Sequence, residues 1–360
     1  MEAFYRDLTT LAAKIETEWL RLHYASEDFY KVVWEQAEKF DFSPLGEISN
    51  QMELLQLPDV RVNQHRSTFS DLHFQAFHNG RFLVEILNWA GSHVNVHDHD
   101  FSGVQFQLKG SSLNVVYDFT PQEQVGALRF GTLKVRRAEF WRQGDRSVVR
   151  HGDLDPHGVF HLSHPTTSLL IRTVPTPRLG SQSNYFPTLS AHYYVNNDVQ
   201  RKKLTGLALL AEHSYADFQS HLEQFLASQS LAENFFMLLK LGDLILSERS
   251  APILARYAER GTRESSVVKS VIYNTGIDFF KTRASFTLGV SATERLVASM
   301  IAATHSLDEF KVTVSALETV GTALPLRATL NSFLSKLSEG DQHRARNYLD
   351  LFGLEEFVRE

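Results

Sequence analysis

Two histidines one residue apart, His97 and His99, stand within the segment GSHVNVHDHDFSGVQFQLKG at positions 91–110. On an extended strand, residues i and i+2 point to the same face. Two imidazoles side by side on a strand form half of a metal site, because the neutral ring nitrogen binds divalent iron, nickel, copper or zinc. Asp98 and Asp100 fall on the opposite face and are expected in solvent or bonded to neighbouring loops. His93 shares the parity of the pair and could line the same pocket. His151, His157 and His164 read as supporting or surface residues.

The elements that must carry these side chains show in the texture of the chain. Phe4, Leu8, Leu11, Ile15 and Trp19 recur at steps of three and four, one apolar stripe of a helix, and a second short helix is expected over 27–39. From about 59 to 175 the pattern becomes short β-branched and aromatic runs: RFLVEILNW, SSLNVVYDF, TLKVRRAEFW and TSLLIRTVP. Asn79-Gly80, Gln143-Gly144-Asp145 and Asp153–Pro156 are the expected turns between them. Many strands with no helix between them imply an antiparallel sandwich or barrel. Residues 174–190, with three prolines, read as a linker or extended strap. Beyond about 198 the period becomes helical, with helices expected at 215–227, 231–246, 250–259, 265–281, 291–304, 307–320, 325–337 and 341–351. Ser291 and Glu294 form the pattern of a capping box.

Composition excludes several classes. The chain has 360 residues, a size at which two domains are the default, and 43% hydrophobic residues, enough for a sizeable core. A net charge of −6 and a pI near 6.2 argue against nucleic-acid binding. There is no cysteine, so disulfides, thiolate ligands and a thiol nucleophile are excluded. The N-terminal stretch lacks a signal-type apolar core, and no run of roughly 18 apolar residues occurs; a cytoplasmic protein is expected. P-loop, GxGxxG, HExxH and GxSxG patterns are absent.

The 91–110 segment resembles the first signature of the cupin superfamily: Gly91, His97, His99 and Gly110 fall in place, with Gly103 where the family carries a glutamate. Pro156, Gly158 and His161 resemble the second signature. The resemblance implies a metal held by His97, His99 and His161. It implies an α+β fold: an antiparallel, jelly-roll-like cupin β-barrel with N-terminal helices and a separate C-terminal all-α domain, divided at 1–45, 46–190 and 191–360.

Over about 60–178 the chain looks most like the thiol dioxygenases, the branch that includes cysteine dioxygenase, through the strand ending at Trp89, His97-Asp98-His99 and Leu108-Lys109-Gly110-Ser111. That branch also lacks the glutamate. It implies iron(II), with zinc, nickel, manganese or copper as other occupants, and dioxygen as co-substrate. The family's carboxylate-binding arginine would fall near Leu72, beside His73, so it does not carry over. Nor does the family's outer relay, where Arg172 and Val174 stand instead. Gln105 and Gln107 share the parity of Gly103, so they either face inward or, where a bulge breaks that parity, face solvent. Arg172 would bind an anion if inward, or form an ion pair at the rim.

The leading expectation is an iron(II) oxygenase acting on a small thiol, an amino-acid derivative, or a residue on a carrier or peptide. The alternatives are a non-oxidative metal cupin (isomerase, lyase or hydrolase) and a ligand-sensing cupin. The C-terminal helices could hold a protein partner, form a homodimer or close over the pocket; no nucleic acid and no membrane are expected.

Overall fold

The computed structural model describes residues 1–65, 70–91, 95–175, 182–192, 198–247, 249–319 and 325–355. Four helices come first: α1 (Glu2–Arg21), α2 (Phe29–Gln36), α3 (Ile48–Leu54) and α4 (Pro58–Val62). Eleven strands follow among the described residues. They are β1 (Leu72–His78), β2 (Phe82–Trp89), β3 (His97–His99), β4 (Gly103–Lys109), β5 (Ser112–Val125), β6 (Leu128–Trp141), β7 (Arg146–Val149), β8 (Gly152–His161), β9 (Thr166–Thr173), β10 (Ser183–Phe186) and β11 (Leu189–His192). The first sheet has the order β1-β2-β9-β4-β7; the second runs β10-β11-β6-β5-β8-β3 and closes on itself where Asn184 of β10 meets His97 of β3.

Strands β2 to β9 therefore alternate between two sheets, as 2-9-4-7 and 3-8-5-6. This is the order of two interlocked Greek keys, a jelly roll. The expected fold class is the one found: α+β, with an antiparallel cupin-like barrel, helices before it and helices after it.

Each sheet buries its outer face under helices. Val84, Ile86, Val104, Leu169 and Ile171 of the first sheet pack with Leu8, Ile15 and Phe29 of α1 and α2. In the strand run SSLNVVYDF, Leu113, Val115, Tyr117 and Phe119 alternate with mostly more polar residues, the pattern of a half-buried strand. Instead both faces are buried as far as Tyr117. Leu113, Val115 and Tyr117 pack with Phe280, Val297 and Ile301 of the C-terminal region, and Tyr117 Oη donates to Ala303 O at 2.7 Å. A sheet covered on both sides leaves only its inward side chains to build a site.

The C-terminal region comprises α5 (Asp198–His213), α6 (Tyr215–Ser228), α7 (Leu231–Leu241), α8 (Ala251–Ala258), α9 (Thr262–Phe286), α10 (Ala292–Ala302), α11 (Leu307–Thr319), α12 (Leu326–Ser335) and α13 (Glu339–Leu351). The Ser291–Glu294 capping box is formed, side chain to backbone in both directions. Three sequence expectations need correction. The 174–190 strap includes the ordered strand β10 and the start of β11, because Asn184 and Leu189 find backbone partners on β3 and β6. The Asp153–Pro156 segment is not a turn but part of the first half of β8. Helix α5, with few buried residues to mark its period, was not foreseen.

Candidate metal centre

Strand β3 delivers His97 and His99 to one buried face, as their spacing requires. Strand β8 pairs antiparallel with it, and the register sets His157 directly opposite His97. One nitrogen from each of His97, His99 and His157 lies within 4.8 Å of the others, and all three side chains are buried. The Nε2 atoms of His99 and His157 are 2.9 Å apart.

Neighbours fix the ring protons. His97 Nδ1 sits 2.8 Å from Asn95 O, a pure acceptor, so Nδ1 carries the proton and Nε2 the lone pair. His157 Nδ1 lies 2.9 Å from Asn114 Oδ1. The Asn114 amide is itself oriented, because its Nδ2 donates to Glu139 Oε2 at 3.1 Å. His157 Nε2 is therefore also a lone pair facing the group. His99 Nδ1 is buried and has no hydrogen-bond partner among the described residues.

Burial, aided by nearby Lys281 and opposed by the bond to Asn95 O, lowers the pKa of His97 from 6.5 to about 4. Burial and the neighbouring His97 bring His157 to about 3. His99 is held well below its ordinary value, first by burial and then by His97 and His157. The rings are neutral at ordinary pH, the form that binds metal.

This donor set fits a divalent ion. One nitrogen of each of the three rings lies within 4.8 Å of the others, close enough for a single divalent ion to be held by all three. Second-layer bonds from a carbonyl and an amide to the distal ring nitrogens are what ligating histidines have.

His161 lines the same cavity, although the group of three is completed by His157. Its ring stacks on Trp89 with centroids 4.4 Å apart. Its Nδ1 is 3.1 Å from Ser112 Oγ, which donates to Gln107 Oε1 at 3.4 Å. The serine hydroxyl thus accepts from His161 Nδ1–H, and Nε2 is the basic atom. Leu87, Trp89, Phe101, Val149, Val159 and Leu170 make the rest of the wall largely apolar. The cavity is small, about 20 Å³, on the scale of a single water.

The other expected residues take different places. Gln105 is half-buried and lines the cavity. Gln107 is buried on the same strand face and meets the cavity wall only through Ser112. Arg172 lies beside the wall and pairs with buried Glu85, Nε to Oε2 at 2.5 Å and Nη2 to Oε1 at 3.0 Å. Its guanidinium lies 4.6 Å from the Phe101 ring centroid, and that ring packs on His99. Position 103, the glutamate position of cupins, is sterically closed: a Cβ there would sit 2.2 Å from Ile171 O and 3.0 Å from Arg172 Cβ.

Asp98, expected in solvent or bonded to neighbouring loops, is buried and accepts from Ser183 N at 2.6 Å and Tyr185 Oη at 2.8 Å, tying β10 to the strand that carries two of the histidines. His93 lies outside the described residues. His164 is exposed.

Sequence reasoning passed over His157. It is four residues before His161, so both share a strand face, and strand parity cannot choose between them.

No protein-family model and no curated protein matches the chain. Among solved structures it is similar to the DMSP lyase DddQ from Ruegeria pomeroyi DSS-3, at 14% identity over 41% of this chain and 78% of that one, with a TM-score of 0.23. A likeness at that score adds nothing to the strand order, which alone carries the jelly-roll assignment.

Proposed function

We propose that the chain is a metal-dependent enzyme of cupin type, with one divalent ion held by His97, His99 and His157. The observation that carries this reading is the convergence of three buried, neutral imidazoles within 4.8 Å. We read the ion as iron(II) and the reaction as oxidation, by dioxygen, of a small thiol, amino-acid derivative or carrier-borne residue. Zinc, nickel, manganese and copper suit the same nitrogens.

The wall chemistry supports the oxidative reading. Besides imidazoles, the cavity offers Gln105 and apolar side chains, with no carboxylate among the described residues that line it. When bound, an iron ion would supply the site for dioxygen. The chain's own residues do the rest: Asn95 and Asn114 hold the ring tautomers, and Phe101, Trp89 and Leu170 keep bulk water out.

One observation favours a second, non-oxidative reading. His161 has its Nε2 lone pair at the cavity wall and its ring fixed by Ser112 and Trp89, the arrangement of a general base beside an ion. One experiment decides whether His161 is a ligand, as the cupin resemblance implies, or a base. The protein is purified without oxygen, its metal is quantified, and oxygen uptake is followed across a thiol and amino-acid panel. Metal loss in His161→Ala makes it a ligand; retained metal with lost turnover makes it the base. Iron retention with no oxygen uptake on any substrate overturns the oxygenase reading.

A further inference from the structure

A cavity of about 20 Å³ has room for an ion and little else, so the body of a substrate needs space elsewhere. A groove of about 560 Å³ lies beside it, of the size that holds small ligands. It runs along the edge where β6, β7 and β8 approach α2. The residues that line the two spaces are neighbours. Ser147 in the groove is the cross-strand neighbour of Gln105 in the cavity, and Asp155 lies two residues before His157 on β8. Glu139 in the groove is bonded to Asn114, which is bonded to His157.

Hydrogen-bond accounting gives the groove its chemistry. Its acids are already engaged. Asp155 accepts from Arg150 and Arg136. Glu139 accepts from Arg137 Nε at 2.7 Å, Asn114 and Trp141 Nε1 at 3.2 Å. Asp145 takes the Arg142 backbone N–H at 2.6 Å. Each guanidinium has more N–H groups than these contacts use, so the surplus in the groove is of donors. Arg146 lies over Trp34, its guanidinium carbon 3.8 Å from the ring centroid, with Nη1 donating to Trp34 O at 2.8 Å and Nη2 3.6 Å from Glu38 Oε1. A guanidinium held in this way is a flat cationic platform on which a planar group stacks.

We propose that this groove binds the substrate body, and that the body combines an aromatic or other planar part with a carboxylate. Arg137 and Arg150 take the carboxylate, and the Arg146–Trp34 stack and Trp141 hold the planar part. The proposal rests on the metal-centre reading only for which end of the substrate reacts.

The test uses full-length, metal-stripped protein titrated with 3-phenylpropionate, 3-phenylpropanamide and propionate, followed by calorimetry and by tryptophan emission, since Trp34 and Trp141 line the groove. Saturable binding of 3-phenylpropionate, at least tenfold tighter than of either control, is expected. Arg150→Gln should weaken it tenfold or more, with Arg150→Lys recovering part; Arg146→Leu provides the same test should Arg150→Gln fail to fold. Equal affinity for acid and amide, no saturation, or affinity unchanged in folded arginine variants overturns the proposal. Binding that survives in metal-free His157→Ala supports it whatever the fate of the metal reading. A wild-type protein that holds metal but not 3-phenylpropionate sinks the groove alone.

Discussion

Among the described residues two groups of side chains are metal-capable, and they differ in whether the donors are already used. His97, His99 and His157 are neutral and convergent, with no acid among them. His65, His73 and Glu85 also fall within ligand distance and include a carboxylate, a better set on composition alone. Yet Glu85 accepts from Arg172 through both oxygens and from His73 Nε2 at 3.1 Å. A cation there would have to displace a guanidinium from a buried carboxylate. The two groups teach that hydrogen-bond accounting, rather than residue type, separates a metal centre from a structural ion pair.

The sharpest way to break this comparison is metal stoichiometry. Alanine at His97, His99 or His157 should each take bound metal from about one per chain to near zero, whereas His73→Ala and Glu85→Gln should leave it unchanged. Elemental analysis decides, and loss of metal in Glu85→Gln would reverse the assignment of roles.

Next in size is the ion pair itself. Arg172→Ala strands a buried carboxylate and should cost about 3–5 kcal/mol in chemical denaturation, whereas the Glu85→Gln/Arg172→Met pair should recover much of it. Burial pushes the Glu85 carboxyl up, but bonds from His73 and Arg172 outweigh this and hold it below its ordinary value. The pair therefore stabilises the fold above the ordinary carboxylate range and loses that contribution as pH falls through the lowered value. Glu85→Gln should flatten that acid limb; an unchanged acid transition would show that the pair contributes nothing there.

Asn114→Ala frees the His157 ring and should weaken metal binding roughly 10- to 100-fold without unfolding the protein. Competition with a chelator measures it, and wild-type affinity would mean that His157 needs no support. A comparable effect is expected at Gly103: alanine must push β4 from β9 and should cost about 1–3 kcal/mol. A neutral result would show that the two strands part readily, and that the cupin glutamate position is not sterically closed.

Much was legible before folding. The switch from period two to period 3.6 near position 198, the capping box at Ser291 and the boundaries of most C-terminal helices follow from local rules that act within a few residues. The shared face of His97 and His99 follows from strand parity. What lay beyond the sequence were choices made by pairing between distant segments. His157 and His161 are equivalent in parity, and only the β3–β8 register puts His157 opposite His97. Arg172 points toward the interior whatever its partner, and only the β2–β9 pairing supplies Glu85 to neutralise it. Local sequence fixes which way a side chain faces, because backbone geometry is local. Which neighbour it meets there is decided by tertiary register, because that partner arrives from elsewhere in the chain.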